Sequence, residues 1–416
     1  MARLPGWLRG VLGTGESHSV SLRLNTGAKP SRQQVSAARD NAFALAMYGQ
    51  LRRSSENLFF SPFSVRVGLA MAYAGARSET ARQMRTALSL PPLDEPLDTA
   101  FVETIQRLGN LGGDCELALA NALWGQDGEL VQPEYLDLIA RHYQGQMNLV
   151  DFRTGAEAAR VAMNQWVEEK TRQRIRDLVP TGSLDAETRL VLVNAVYFKG
   201  RWAVPFSEED TRDEPFYSED GDEVQVPLMR EQFRMLHMRA EGYQAIDLLY
   251  RGGALSMLVV LPDRPDGLRN LEQQLSASML HQIVEQMYSR QVRLFLPRFT
   301  FTWGTANLCD PLAALGMPLA LTRFQADFSG INGKEPPDPE SLFMSEVFHQ
   351  AFVETNERGT EAAAATAISM APGSAAIRSK PPEIPVFRAD HPFLFAIRDR
   401  RSGAILFIGR MADPTR

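Results

Sequence analysis

Six histidines are the natural carriers of proton-transfer chemistry in this 416-residue chain: His18, His142, His237, His281, His349 and His391. They are scattered, and none pairs with a carboxylate or cysteine at the spacing of a metal site or a nucleophile–base couple. His349 falls inside an apolar stretch, Ser345 to Asn356, where a hydrogen-bonded core residue is expected rather than a general base. Asp220-Gly221-Asp222-Glu223 has the acid density of a calcium loop but lacks the remaining ligand spacing, so it reads as a solvated turn. There is no Gly-x-Ser-x-Gly elbow, His-Glu-x-x-His helix, Walker loop or Gly-x-Gly-x-x-Gly turn. Catalytic residues, a metal site and a cofactor are not expected, and the protein reads as a non-enzyme.

The sequence offers instead one segment of unusual composition. Glu357-Arg358-Gly359-Thr360-Glu361-Ala362-Ala363-Ala364-Ala365-Thr366-Ala367-Ile368-Ser369-Met370 is dominated by small residues, and Pro372, Gly373, Ser374, Pro381 and Pro382 punctuate the chain after it. So little bulk contributes little core and belongs on the surface. One reading is a short helix capped by Thr360, with Glu361 in its first turn and alanine as the best helix former. The other has period two. Thr360, Ala362, Ala364, Thr366, Ile368 and Met370 then share an uncharged face, and the opposite face carries Glu361. Such a segment becomes a half-buried strand if a sheet opens to admit it.

Composition sets the frame. Hydrophobic residues at 44% and charged residues at 23% are those of a globular chain. A net charge of −6 leaves no basic surplus for phosphates, so no nucleic acid is expected as partner. No apolar run reaches the roughly 18 residues of a membrane span. Cys115 and Cys309 allow at most one bridge. Residues 1–34 read as a flexible tail: the apolar run after Arg3 is broken by Pro5, Gly6 and Arg9, too short for a signal peptide. Residues 35–416 read as a single domain.

Helical spacing predicts an amphipathic helix over Val35–Leu51, and Ser61-Pro62 opens a second over Phe63–Ala74, apolar nearly all round and therefore buried. Further helices are expected over Ser78–Leu88, over Gly155–Leu178 with Val161, Trp166, Val167 and Ile175 inward, and over Leu268–Ser289. Leu90–Pro96 reads as a proline-rich turn. Strands are expected at Glu116–Gly125, Tyr243–Tyr250, Ala254–Leu261, Gln291–Phe301 and Ser345–Asn356, with a hairpin at Phe393–Gly409. Arg189–Trp202 is almost continuously apolar, as in a strand buried on both faces. Early helices, later strands and no repeating βα unit give an α+β class.

Several segments together resemble the serpin family across roughly Val35 to Pro414. Asn57-Leu58-Phe59-Phe60-Ser61-Pro62-Phe63-Ser64 is similar to the family's segment leading into its buried helix. Leu192-Val193-Asn194-Ala195-Val196-Tyr197-Phe198-Lys199-Gly200-Arg201-Trp202 resembles the third strand of its main sheet. Asp327-Phe328-Ser329-Gly330-Ile331 and Phe387 to Phe395 resemble late-chain signatures, and Asn356 to Thr366 looks like the hinge of the reactive loop.

The resemblance implies three β-sheets, about nine helices and an exposed reactive loop, here about residues 357–386. It implies a monomeric suicide inhibitor of serine, or also cysteine, endopeptidases: the protease cleaves the loop, forms an acyl-enzyme, and is trapped as the loop inserts into the main sheet. The alternative within the family is a non-inhibitory carrier, storage protein or chaperone, whose hinge tends to be bulky or charged. The hinge maps to Glu357, Gly359, Thr360, Glu361, Ala362, Ala363, Ala364, Ala365 and Thr366. Ser61, Ser64, Asn194 and His349 map to a hydrogen-bonded shutter, Trp202 to the breach where the loop enters, and Arg298 to the partner of Glu357. Counting seventeen residues from Glu357 places the reactive bond at Gly373-Ser374, which points to an elastase-like or subtilisin-like protease. Arg378-Ser379 is the alternative and would suit a trypsin-like enzyme, with five residues of added slack. The family also implies an extracellular location, for which residues 1–34 show no signal peptide, so the compartment stays open.

Overall fold

Ser31 caps the first helix. Its hydroxyl accepts the Gln34 N–H while the Gln34 side chain accepts the N–H of Ser31, so α1 (Arg32–Leu51) begins three residues before the expected Val35. The computed structural model describes residues 30–91, 99–112, 114–360 and 383–416. The turn expected at Leu90–Pro96 lies largely outside these residues. β1 (Leu58–Phe60) ends at Ser61, which caps α2 (Pro62–Gly75) through the Ser64 N–H, and α2 is buried almost throughout. α3 (Ser78–Ala87) comes next, as expected.

Two helices were not legible: α4 (Thr99–Leu108) and α5 (Pro133–Tyr143), on either side of β2 (Cys115–Gln126). After β3 (Gln146–Val150), α6 (Phe152–Lys170) is shorter than its expected range. The Thr171 hydroxyl donates to the Val167 carbonyl and accepts the Ile175 N–H, which turns the chain out of the helix. Ile175 is still buried, whereas Val161, expected inward, is 40% exposed. β4 (Leu190–Arg201) is covered on both faces: Leu192, Val196 and Phe198 enter the main core with α2, while Val191, Val193, Ala195 and Tyr197 pack in a second core with α6.

The β-rich half contains β5 (Arg212–Tyr217), β6 (Glu223–Ala240), β7 (Tyr243–Leu249) and β8 (Leu255–Pro262). The helix expected over Leu268–Ser289 is two, α7 (Leu268–Gln274) and α8 (Ala277–Gln286), because Ser276 leaves the helix to cap the second through the Met279 N–H. The strand expected over Gln291–Phe301 also divides, into β9 (Tyr288–Pro297) and β10 (Phe299–Asn307), which belong to different sheets. Pro297 lacks the N–H needed to carry one ladder through. α9 (Cys309–Ala314), α10 (Ser329–Asn332), β11 (Met344–Asn356), β12 (Gly359–Thr360), β13 (Val386–Arg388), β14 (Phe393–Asp399) and β15 (Ile405–Met411) complete the described chain.

Ten α-helices among the described residues and the mixed sheets make the α+β class plain. Hydrogen bonding links the strands into a six-stranded sheet, β10-β11-β12-β4-β2-β3, and a nine-stranded network. That network divides at the 18-residue β6, which pairs with β5 and β9 over most of its length and with β7 only over Leu236–Ala240, so the strands form three sheets when β6 is counted in two of them. Cys115 and Cys309 are both free.

Candidate functional site

β11 and β4 run parallel and directly paired from Met344 opposite Leu190 to Phe352 opposite Tyr197. Beyond that point they part. The chain turns at Glu357-Arg358 and returns between them as β12, antiparallel to both: Gly359 faces Asn356 and Arg201, and Thr360 faces Thr355 and Gly200. Gly359 adopts a φ of 146°, and a Cβ there would come within 2.1 Å of the Gly200 carbonyl oxygen, so this close approach requires glycine.

The turn is clamped from three sides. The Trp202 indole Nε1–H donates to the Asn356 carbonyl at 2.9 Å, its main-chain N–H donates to Arg358 at 2.9 Å, and the Phe206 N–H donates to Glu357 at 2.8 Å. Tyr250 stacks on Trp202 with ring centroids 4.7 Å apart, and its hydroxyl lies 2.8 Å from the hydroxyl of Thr360, which is wholly buried. Burial pushes the Tyr250 phenol above its ordinary range, so it stays neutral. In this pair Glu357 is buried and Arg298 is half exposed. Burial alone would raise the Glu357 carboxyl, but hydrogen bonds from the Arg298 guanidinium and the Thr211 hydroxyl overcome it and hold its pKa below the usual value.

Toward the middle of the sheet a polar row crosses three strands. Asn121 of β2 is opposite Asn194 of β4, and Asn194 is opposite His349 of β11. His349 donates from Nδ1 to the Asn194 side-chain oxygen, and its Nε2 accepts the Ser61 N–H at 3.2 Å. Asn194 donates from Nδ2 to the Ser64 hydroxyl at 2.8 Å and to Asn121, while the Ser61 hydroxyl donates to the Leu406 carbonyl at 2.7 Å. Burial depresses the His349 pKa to about 3, which keeps the ring neutral. Ser61, Ser64, Asn194 and His349 are thus one cluster, and Trp202, Glu357, Gly359, Thr360 and Arg298 are another. Glu361, Ala362, Ala363, Ala364, Ala365, Thr366, Gly373, Ser374, Arg378 and Ser379 lie outside the described residues.

Three participants were missed. Asn121 carried a signal, a lone polar residue in the otherwise apolar Leu117–Gly125 run; Tyr250 and Thr211 carried none. The cysteines offer no nucleophile: burial, then Asp114, pushes the Cys115 thiol up to about 11, and burial, then Glu346, pushes Cys309 up to about 12. Among the described residues no three His, Cys, Asp or Glu side chains gather as a metal site, and no helix is long and apolar enough to cross a membrane.

The fold is thus an α+β one in which the two central strands of the six-stranded sheet part at one end, with a two-residue strand between them. The model of the serpin (serine protease inhibitor) family matches residues 38–414. An uncharacterized serpin-like protein of Thermococcus kodakarensis is 40% identical over 376 residues, 90% of this chain and 84% of the relative. The leukocyte elastase inhibitor of Sus scrofa is 37% identical over 392 residues, 92% of this chain and all of the relative. Serpin48, a highly specific serpin of the insect Tenebrio molitor, superposes with a TM-score of 0.80 at 29% identity, covering 93% of this chain and 100% of its own. The chain belongs to the serpin family.

Proposed function

We propose that this chain is a suicide inhibitor of serine endopeptidases and, by the same acyl chemistry, of cysteine endopeptidases. The observation that carries the reading is β12, a two-residue strand already seated between β4 and β11. Continuing both ladders without a bulge brings Thr366 opposite Asn194 on one side and His349 on the other. Met370 then stands opposite Leu190 and Ser345, at the far ends of the strands. Twelve residues from Thr360 to Ala371 span roughly 40 Å at about 3.3 Å each, the length of the 12-residue β4. The inward face is the uncharged one, because the Thr360 side chain points into the core. Insertion replaces the parallel β4–β11 pairing with two antiparallel ladders, the slightly more stable arrangement per residue.

In this reading a protease attacks the Gly373 carbonyl, the bond to the Ser374 nitrogen breaks, and the acyl-enzyme rides with the inserting strand. Asn194 and His349 would exchange their mutual bond for contacts with Thr366, and Trp202 and Tyr250 would hold the turn while the strand grows. Glycine at the bond fits an elastase-like or subtilisin-like target, and the elastase inhibitor among the relatives supports that class. Cleavage at Arg378-Ser379 would leave seven residues beyond the inserted run instead of two, a looser tether.

The test is incubation with elastase, subtilisin, trypsin and a papain-like enzyme. An SDS-stable covalent complex is expected, with a released fragment whose mass begins at Ser374. Cleavage by every protease without a covalent complex would overturn the inhibitor reading in favour of a carrier, storage or chaperone role.

A further inference from the structure

Behind Trp202–Phe206 lies a cavity of about 260 Å³, closed on its far side by β6 and β7. We propose that it is a binding site for a small aromatic carboxylate, and that its occupant steadies the turn from which β12 emerges. Trp202, Phe206, Phe233, Met235 and Leu248 supply apolar wall. The volume falls just below the range of about 300–1,000 Å³ typical of ligand pockets, which suits one bicyclic ring system. Arg234 and Arg400, both exposed, line the same cavity. Its one buried acid, Asp247, already receives two hydrogen bonds from Arg398, at 2.7 and 3.3 Å, with Arg400 Nε 3.9 Å away. With Asp247 already paired by Arg398, the two guanidiniums that line the cavity, Arg234 and Arg400, hydrogen-bond only the Ser289 and Gly253 carbonyls among the described residues, at 3.1 and 3.0 Å, and an anionic ligand meets them through charge-assisted hydrogen bonds.

The coupling arises from the shared wall. The segment that lines the cavity donates to the carbonyls of Asn356, Glu357 and Arg358, and Trp202 stacks on the tyrosine that meets Thr360. A ring packed on one side of Trp202–Phe206 restrains what is bonded on the other. Binding and coupling stand whether or not the chain traps a protease.

The probe is 2-naphthoate. Calorimetric titration of the full chain is expected to show saturable one-to-one binding, weakened at least tenfold by Arg234→Glu and lost in Met235→Trp, which fills the cavity. The neutral analogue 2-naphthalenemethanol is expected to bind at least tenfold more weakly. Hydrogen–deuterium exchange with 2-naphthoate at saturation is expected to slow in residues 202–206 and 355–360 together. Unchanged affinity in Arg234→Glu, or equal affinity for the neutral analogue, would overturn the site. Protection confined to residues 202–206 would overturn the coupling. If Met235→Trp does not fold, the exposed Arg234→Glu carries the decision.

Discussion

The same two strands, β4 and β11, are parted at one end of the six-stranded sheet and joined at its middle. At the parted end Gly359 and Thr360 fill the gap, clamped by the Trp202–Tyr250 stack and three hydrogen bonds to main-chain carbonyls, one of them from the Trp202 indole. At the middle the strands meet through His349 and Asn194, over Ser61, which caps α2, and Ser64 in its first turn. The parted end is held by aromatic packing around a fixed turn. The middle is held by hydrogen bonds between small polar groups, which another hydroxyl can replace without repacking bulky side chains. In the insertion proposed above, the sheet would open from its parted end and the bonds at its middle would change partners.

The largest expected effect is at the parted end. Thr360→Arg places a charge where the side chain is wholly buried beside Tyr250. The SDS-stable complex is expected to vanish while loop cleavage persists, as read on a gel; unchanged complex yield would count against insertion. Next comes the middle. Asn194→Ala leaves His349, Ser64 and Asn121 without a shared partner and is expected to lower unfolding stability by about 3 kcal/mol in urea titration, at 1–3 kcal/mol per stranded group. A loss no larger than that of a surface alanine would mean that the row does not hold the strands.

The pH dependence separates the regions further. His349 stays neutral in the folded chain down to about pH 3, whereas in the unfolded chain it takes up a proton near pH 6.5. Between those values the unfolded state binds more protons, so stability present above pH 6.5 is lost as pH falls, by up to about 1.4 kcal/mol per unit. The comparison of wild type with His349→Gln at pH 7 and pH 5 isolates this dependence, and parallel losses in both proteins would contradict it. The smallest effect is Tyr250→Phe, which removes one hydroxyl bond to Thr360 and leaves the ring stack. It is expected to lower stability by about 1 kcal/mol, the low end for one stranded buried hydroxyl, and to leave complex formation intact.

Much of this was legible because burial and periodicity coincide. The almost continuously apolar run that forms Leu190–Arg201, the Ser61-Pro62 cap and the terminal hairpin each appear where the sequence places them. Breaks inside apolar runs were harder to read. Phe299 continues the hydrophobic pattern of Leu296, yet Pro297-Arg298 sends it to another sheet, and Ser276 ends one helix by capping the next. In the site, the residues within recognisable segments were legible: Ser61, Asn194, Trp202 and His349. Tyr250 and Thr211 were not, because their roles depend on partners distant in sequence that only the folded sheet brings within bonding distance.

The growth of β12 between β4 and β11 is tested most directly by melting the intact chain and the chain cut once in its loop by a non-target protease. An inserted strand adds two antiparallel ladders in place of one parallel pairing, so the cut form is expected to melt well above the intact form. Equal melting temperatures would contradict insertion.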